Sequence, residues 1–208
     1  MITLFNYFVK ITGLLPAWLI LRTKVSYEDK KVQSRKIKGS AIIMSNHTSV
    51  YDYAAFLFLF FFRTLRYQMA EVLYKKKLLS IFLKMMGGIY VNRDSYDFSF
   101  MDKSKKLLEK GKVVGVFPES RLPKVGEETP LPFKESITRL ALESGAPIIP
   151  LYTNGAYFTK KRAHVVIGTP INVTEYYDNN KSEKENITYI TNILRNKIIE
   201  LGNIYEEK

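Results

Sequence analysis

A histidine and an aspartate five residues apart are the side chains of this sequence best suited to chemistry. His47 and Asp52 lie in the segment NHTSVYD, directly after the apolar run at 41–44. A carboxylate that accepts the proton of one imidazole nitrogen fixes the ring's tautomer and leaves the other nitrogen to act as a base toward a hydroxyl group. The alternative is a structural role in capping a helix. The chain has no Gly-x-Ser-x-Gly segment, so the hydroxyl would belong to a substrate.

Two further polar segments follow apolar runs. Arg93 ends the segment GGIYVNR, and Glu119 and Arg121 lie in FPESR. The ends of parallel strands meet at one edge of a sheet, which would bring a base, an acid and two arginines to one cleft. Arginine forks suit phosphate. For Glu119, a structural carboxylate that holds Arg121 or backbone donors is the alternative to direct chemistry.

Composition removes several classes of function. The absence of cysteine excludes disulfides, thiolate nucleophiles, sulfur-ligated zinc and iron–sulfur clusters, and the two histidines, His47 and His164, show no metal-ligand spacing. We therefore expect no metal and no resident cofactor. The net charge of +12 favours anionic partners. No helix-turn-helix, RNP or zinc pattern accompanies that charge, so we expect no nucleic-acid partner.

The elements that position these residues follow an α/β pattern. Short apolar runs alternate with longer helical stretches, which predicts a mixed central sheet flanked by helices. The predicted strands are 41–44, 67–70, 89–91, 113–117, 148–152 and 165–167. The predicted helices are 50–62, 71–86, 98–110, 134–143 and 183–201.

The first 21 residues are mostly apolar but contain Asn6, Lys10 and Pro16, and we expect the proline to interrupt a helix here. Such a segment suits the membrane interface better than a full span, although a spanning helix or one packed on the core stays open. The apolar run at 53–62 and the cations after it favour a membrane-facing edge, with a buried core helix as the alternative. Those cations are Arg63, Arg66 and Lys75 to Lys77.

Four segments in this order resemble the four motifs of the glycerolipid acyltransferase family. They are NHTSVYD, GGIYVNR, FPESR and PIIP, within a resemblance that runs from about residue 40 to 170. The resemblance implies that His47 is the general base, that Asp52 orients it, and that Arg93, Glu119 and Arg121 bind the phosphate of the acceptor. It divides the chain into a membrane-docking element at residues 1–39 and an acyltransferase domain at residues 40–208.

The resemblance also implies partners and a location. The donor would be a thioester of coenzyme A or of acyl carrier protein, and the acceptor would be 1-acylglycerol-3-phosphate, which gives phosphatidic acid. We expect association with an anionic membrane surface on its cytoplasmic face. The alternative acceptors are glycerol-3-phosphate, another lysophospholipid or an amino-acid lipid. The alternative to an enzyme is a catalytically silent membrane-surface protein.

The sequence departs from the family's pattern on the phosphate side. Ser120 replaces a common glycine, and Arg121 follows Glu119 by two residues rather than three. Glu71 stands where many members have lysine, Asn92 replaces a frequent aspartate, and Ser136 replaces another glycine. The spacing of His47 and Asp52 matches the family's pattern. The departures therefore leave the predicted chemistry unaffected but leave the identity of the acceptor open.

Overall fold

The computed structural model describes residues 1–93, 97–160 and 162–206. Within them seven strands form one sheet in the order β1-β7-β6-β2-β5-β3-β4. The five neighbours from β6 to β4 run parallel, β7 is antiparallel to β6, and β1 is parallel to β7. This confirms the mixed α/β sheet. The strands are β1 Lys24–Tyr27, β2 Ala41–Ser45, β3 Leu65–Ala70, β4 Ile89–Val91, β5 Val113–Val116, β6 Ile148–Thr153 and β7 His164–Ile167.

Helices cover both faces of the sheet. They are α1 Ile2–Leu21, α2 Asp52–Leu59, α3 Lys77–Met86, α4 Ser99–Glu109, α5 Ser136–Ser144 and α6 Glu183–Glu206. Side chains of α4, α5 and α6 pack with Ile42 and Met44 on one face, and side chains of α2 and α3 pack with Ile43 on the other. Alternate residues of a strand point to opposite faces, so β2 is buried along its whole length.

Two predicted helices are shorter in the structure than in the sequence pattern. The helix predicted at 50–62 begins only at Asp52 and ends at Leu59, because the carboxylate of Asp52 accepts hydrogen bonds from the preceding loop. The helix predicted at 71–86 is a 3₁₀ turn at Glu71–Tyr74 followed by α3.

The N-terminal segment forms one helix, so the predicted interruption at Pro16 is wrong. A proline removes one backbone hydrogen bond, and the carbonyl that it leaves unpaired, four residues earlier, belongs to the exposed Thr12. Helix α1 has a mean hydropathy of 1.5 over its most apolar window, of which 17% is buried, and by length and composition alone it is able to cross a membrane.

Helix α1 packs lengthwise on α2 and α3. The Asn6 side chain donates to the Met86 carbonyl at 2.8 Å. The Lys10 ammonium donates to the carbonyls of Phe60, Phe61 and Arg63 at 2.9, 3.0 and 2.6 Å, and so pairs carbonyls just after α2. Burial lowers the pKa of Lys10 to about 8.

Because α1 covers α2, the apolar run at 53–62 is mostly core. Phe56 and Phe60 are fully buried, whereas Phe62 is exposed. The expectation of a membrane-facing edge here is therefore wrong for most of the run. Two of the cations after it are also structural: Arg63 donates to three backbone carbonyls, and Arg66 is buried.

Strand β1 lies before residue 40, where we placed the start of the acyltransferase domain. It pairs with β7 from Lys24 to Tyr27 and extends the sheet by one edge strand. The sequence pattern did not reveal β1, because its four residues, KVSY, alternate only briefly between polar and apolar types. The division at residue 39 stays a prediction.

Candidate active site

The parallel strands bring every predicted site residue to one edge of the sheet. The loop with His47 follows β2, Glu119 and Arg121 follow β5, and Arg93 follows β4. Since β2, β5, β3 and β4 are parallel neighbours, these loops leave the sheet on the same side. The structure thus confirms the shared edge on which the sequence argument depended.

His47 and Asp52 form a hydrogen-bonded pair. The imidazole Nδ1 lies 3.0 Å from the Asp52 Oδ2. That oxygen also accepts the backbone N–H groups of Thr48 at 2.8 Å and Ser49 at 2.9 Å, so Asp52 acts as an acceptor and Nδ1 carries the proton. In the neutral imidazole, Nε2 is then the nitrogen that can accept a proton. A fifth of the His47 side chain is exposed, whereas that of Asp52 is fully buried.

The second oxygen of Asp52, Oδ1, has its own donor, and a tyrosine lies nearby. The Thr48 hydroxyl donates to Oδ1 at 3.1 Å. The Tyr157 hydroxyl pairs with the Thr153 hydroxyl at 3.4 Å, and burial, followed by the negative charge of Asp52, raises the pKa of Tyr157 well above its usual value. A buried carboxylate needs such donors to remain charged. Tyr157 was not predicted from the sequence, because it lies in the loop after β6 and nothing in the local pattern relates it to Asp52.

The imidazole of His47 is fixed from one side by an aromatic ring. It stacks on Phe117 with a centroid distance of 4.1 Å and an interplanar angle of 16°. Behind it, the Asn46 side chain donates to the Thr153 carbonyl and accepts from the Thr153 N–H, each at 2.8 Å. These contacts join the loop after β2 to the ends of β5 and β6. Asn46 was part of the recognised motif, but its clamp depends on a strand 107 residues away.

Gly155 allows the Thr48 side chain to reach Asp52. Its φ is +62°, and a Cβ atom there would collide with the Thr48 hydroxyl. Glycine adopts this left-handed conformation without steric cost, and it leaves the space that Thr48 fills. Gly155 therefore supports the His47–Asp52 pair, although it lies more than 100 residues from both in the sequence.

Glu119 supports the His47 loop through its backbone. One carboxylate oxygen accepts the His47 N–H and the other accepts the Leu131 N–H, both at 2.7 Å. The side chain is buried, and burial raises the pKa of Glu119 even though both hydrogen bonds oppose the shift. This arrangement leaves both Glu119 oxygens on backbone donors, while the expected contact of Glu119 with the acceptor stays a prediction. It matches the alternative of a carboxylate that holds backbone donors.

Each of the two predicted phosphate-binding arginines is paired with a carboxylate. Arg93 bonds to both oxygens of Glu71, at 2.9 and 3.2 Å, and donates to the Ser120 carbonyl at 2.9 Å. Arg121 bonds to both oxygens of Glu127, at 2.7 and 2.9 Å. Hydrogen bonds from the arginines lower the pKa of Glu71 and of Glu127 to about 2. Sequence analysis singled out Glu71 as a departure but not as a partner of Arg93.

Ser120 keeps the conformation that suits the glycine it replaces. Its φ is +62°, in the left-handed region. Non-glycine residues pay a steric cost there. Its carbonyl nevertheless accepts from Arg93, so the loop geometry holds despite the substitution.

No group of three or more histidine, aspartate or glutamate side chains in residues 1–93, 97–160 and 162–206 is arranged to hold a metal ion. The site has instead an imidazole–carboxylate pair beside guanidinium–carboxylate pairs. Such a site can deprotonate a hydroxyl group and offers cations near it.

Comparison with known proteins gives matches to a family model and to curated relatives. Residues 23–154 match the model of the family described as Acyltransferase. The chain is 28% identical over 180 residues to a 1-acyl-sn-glycerol-3-phosphate acyltransferase of Borreliella burgdorferi, covering 78% of this chain and 66% of that protein. It is 27% identical over 144 residues to the enzyme of the same name from Bacillus subtilis, covering 67% of this chain and 69% of that protein. This chain thus spans about two thirds of these relatives.

A solved structure shares the fold. The crystal structure of the 1-acyl-sn-glycerophosphate (LPA) acyltransferase PlsC from Thermotoga maritima aligns with a TM-score of 0.63 at 18% sequence identity, covering 97% of this chain and 95% of that one. At this identity the likeness concerns the arrangement of the sheet and its helices.

Proposed function

Because this chain belongs to the acyltransferase family, we propose that it transfers a fatty acyl group from an acyl thioester to the 2-hydroxyl of 1-acylglycerol-3-phosphate, forming phosphatidic acid. The names of the two relatives support the reaction. The observation that carries the proposal is the His47–Asp52 hydrogen bond at the shared strand edge, since it leaves a nitrogen base facing partly open space.

In the proposed mechanism His47 acts as a general base. Its Nε2 takes the proton of the acceptor hydroxyl as that oxygen attacks the thioester carbonyl carbon, forming the new C–O bond. The buried Asp52 stabilises the resulting imidazolium. Collapse of the tetrahedral intermediate breaks the C–S bond, and the leaving thiolate receives the proton from His47. The acyl group passes directly to the acceptor, without an acyl-enzyme.

Arg93 and Arg121 are the proposed ligands of the acceptor phosphate. Both guanidinium groups lie at the surface, and Arg93 reaches the loop after β5 through the Ser120 carbonyl. Their planar forks match the geometry of a phosphate. A phosphate that approaches must compete with Glu71 and Glu127. We therefore infer that these carboxylates weaken binding of the phosphate and so bias the choice of acceptor.

Replacing Glu71 tests this inference. Glu71→Gln removes the negative charge opposite Arg93, so KM for 1-acylglycerol-3-phosphate should fall by a few-fold while KM for monoacylglycerol stays constant. Glu183→Gln is the matched control, since Glu183 pairs with Arg139 away from the dyad. An equal change in KM for both acceptors would show that Arg93 does not bind the phosphate.

We also propose that the enzyme docks on an anionic membrane through α1 and α3. Exposed apolar side chains line the outer faces of both helices, among them Phe8, Ile11, Trp18, Leu78 and Ile81. Exposed lysines at 75–77 lie at the start of α3. A patch of this kind on a soluble surface marks a contact with a membrane or a protein, and the lysines favour anionic lipid. The lengthwise packing of α1 supports docking rather than spanning.

Liposome sedimentation tests the docking. Trp18→Ser should reduce sedimentation with anionic liposomes, and salt should weaken binding of the unmodified protein because part of the attraction is Coulombic. Phe98→Ser is the control, since Phe98 is an exposed aromatic residue beside α4 on the opposite face of the sheet. Equal loss in both variants would contradict the assignment of the docking face.

The acceptor and donor are tested with purified protein. Initial rates with 1-acylglycerol-3-phosphate, glycerol-3-phosphate, lysophosphatidylcholine and monoacylglycerol, each with acyl-CoA and with acyl carrier protein thioester, should be highest for 1-acylglycerol-3-phosphate. A clear preference for another acceptor would replace the proposed substrate but retain the chemistry. No transfer to any of them would contradict the proposed activity.

A further inference from the structure

A cavity of about 610 Å³ lies between α1, the segment after α2 and the segment 27–36, away from the dyad. Its walls are Leu14, Phe58, Phe61 and Phe62, and Arg35 and Lys36 stand at its rim. Helix α2 begins at Asp52, and Phe58 is six residues further on, so the cavity is about 10 Å from the dyad along the helix axis.

Rigid contacts form this cavity. Gly13 lets α1 approach α2 so closely that a Cβ atom there would lie 2.8 Å from the Phe58 ring. One turn earlier, the Lys10 ammonium fixes the Phe60 and Phe61 carbonyls to α1. The packing of α1 on α2 thus fixes the positions of the apolar walls.

The two rim cations are available to a ligand. Both side chains are exposed, and among the residues that the structure describes neither forms an ion pair with a carboxylate. The Arg35 Nε donates to the Tyr27 hydroxyl at 3.3 Å, which orients its guanidinium at the rim. Arg93 and Arg121, in contrast, are held by carboxylates.

The cavity opens beside the proposed docking face. Leu14 is half exposed, and its neighbours Leu15 and Trp18 are more exposed. A ligand that satisfies both parts of the cavity needs an anionic group for the rim and a hydrocarbon chain for the aromatic walls. A free phosphate would leave the walls empty, and a neutral lipid would leave the cations unused.

We propose that this cavity binds one anionic phospholipid of the bilayer, with its phosphate between Arg35 and Lys36 and an acyl chain against Phe58, Phe61 and Phe62. It is a second lipid site, distinct from the acceptor site at His47. The proposal rests on the docking of α1 inferred above, because only a docked protein presents the cavity to the bilayer. An anionic lipid held there would anchor the enzyme where the acceptor resides.

Calorimetric titration of the full chain with monomeric dihexanoyl phosphatidylglycerol tests the site. The unmodified protein should bind about one molecule. Arg35→Ala/Lys36→Ala should weaken binding about 30-fold, because each of the two cations contributes about fivefold. Lys103→Ala/Lys106→Ala removes the same charge from the exposed side of α4, on the opposite face of the sheet, and should leave this affinity unchanged. Leu14→Trp should fill the cavity and weaken binding with no change in charge.

Four results would overturn the proposal. Unchanged binding by the Arg35/Lys36 variant or by Leu14→Trp would place the lipid elsewhere. Equal weakening by the Lys103/Lys106 variant would indicate attraction to net charge alone. Displacement of the probe by an equal concentration of inorganic phosphate would indicate a simple anion site.

A separate assay distinguishes failure of this site from failure of the proposed function. Turnover of a short-chain acceptor in solution does not need the bilayer, so the Arg35/Lys36 variant should retain it. Probe binding without acyl transfer by the unmodified protein would contradict the proposed function alone. Acyl transfer without probe binding would contradict the second lipid site alone.

Discussion

Glu119→Gln separates a residue that positions His47 from one that binds the acceptor. In the structure its two oxygens accept the N–H groups of His47 and Leu131. A glutamine can present one oxygen, but its amide NH₂ then faces the other N–H. One buried donor loses its acceptor, and a second donor is placed against it.

The expected cost follows from these contacts. A buried donor left without a partner costs about 1–3 kcal/mol, and the loss of a charge-assisted bond adds to this. Removal of a buried charge offsets part of this loss of stability, because burial already disfavours ionised Glu119. We expect the free energy of unfolding to fall by about 1–3 kcal/mol, which a domain of ordinary stability survives. A displacement of the His47 loop near 1 Å should lower kcat by about 10- to 100-fold.

Urea unfolding and steady-state kinetics over a range of acceptor concentrations measure both effects. KM for the acceptor should stay within about twofold of the unmodified value, since only a supporting contact changes. Glu127→Gln makes the same change of charge on a partly exposed residue, whose pairing with Arg121 is screened by solvent, and should alter stability much less than Glu119→Gln. A raised KM with unchanged kcat in Glu119→Gln would refute the supporting role and restore direct contact with the acceptor.

The same variant predicts a pH dependence. The pKa of Glu119 lies above its usual 4.5 in the folded protein. As pH rises above that value, the unfolded chain releases this proton before the folded one does, so folding stability falls until the folded pKa is passed. Glu119→Gln lacks this contribution. The stability difference between the two proteins should therefore shrink across this window as pH rises.

Gly155→Ala should lower kcat and reduce the free energy of unfolding by about 1–3 kcal/mol, because a Cβ atom there collides with Thr48. Gly145→Ala is the control: its φ is +63° but it has open space, so it should reduce the free energy of unfolding by only about 1 kcal/mol and leave kcat unchanged. Thermal denaturation and initial rates measure both variants. Ser120→Gly should raise the free energy of unfolding by about 1 kcal/mol, and a loss of stability would contradict the steric cost inferred from its φ of +62°. Lys10→Met leaves three carbonyls at the end of α2 without their cation and should cost about 2–4 kcal/mol in urea unfolding, whereas a stabilised variant would mean that the buried charge outweighs its hydrogen bonds.

Local sequence patterns predicted the central part of this fold. Four of the five parallel strands, β2, β4, β5 and β6, are short and mostly apolar runs, and such runs are visible without knowledge of their neighbours. The His47–Asp52 pair was predictable because both residues lie in one strand-to-helix turn. Strand β1 was not, since it is stabilised by β7 far along the chain rather than by its own composition.

Partners distant in sequence explain the other differences. Lys10 and Pro16 looked like interruptions of an apolar segment, yet Lys10 is satisfied by carbonyls 50 or more residues away. Glu71 and Glu127 occupy the two arginines, and Glu119 turns to backbone donors instead. Residue types indicated that charges gather here, but which charges pair is decided by tertiary distances.

The turnover number of His47→Ala with 1-acylglycerol-3-phosphate and an acyl thioester tests the central claim most directly. If His47 removes the hydroxyl proton, kcat should fall by about 10²- to 10⁴-fold. Urea unfolding and liposome sedimentation of the variant should remain close to those of the unmodified protein. Acyl transfer by His47→Ala at nearly the unmodified rate would contradict the assignment of His47 as the base.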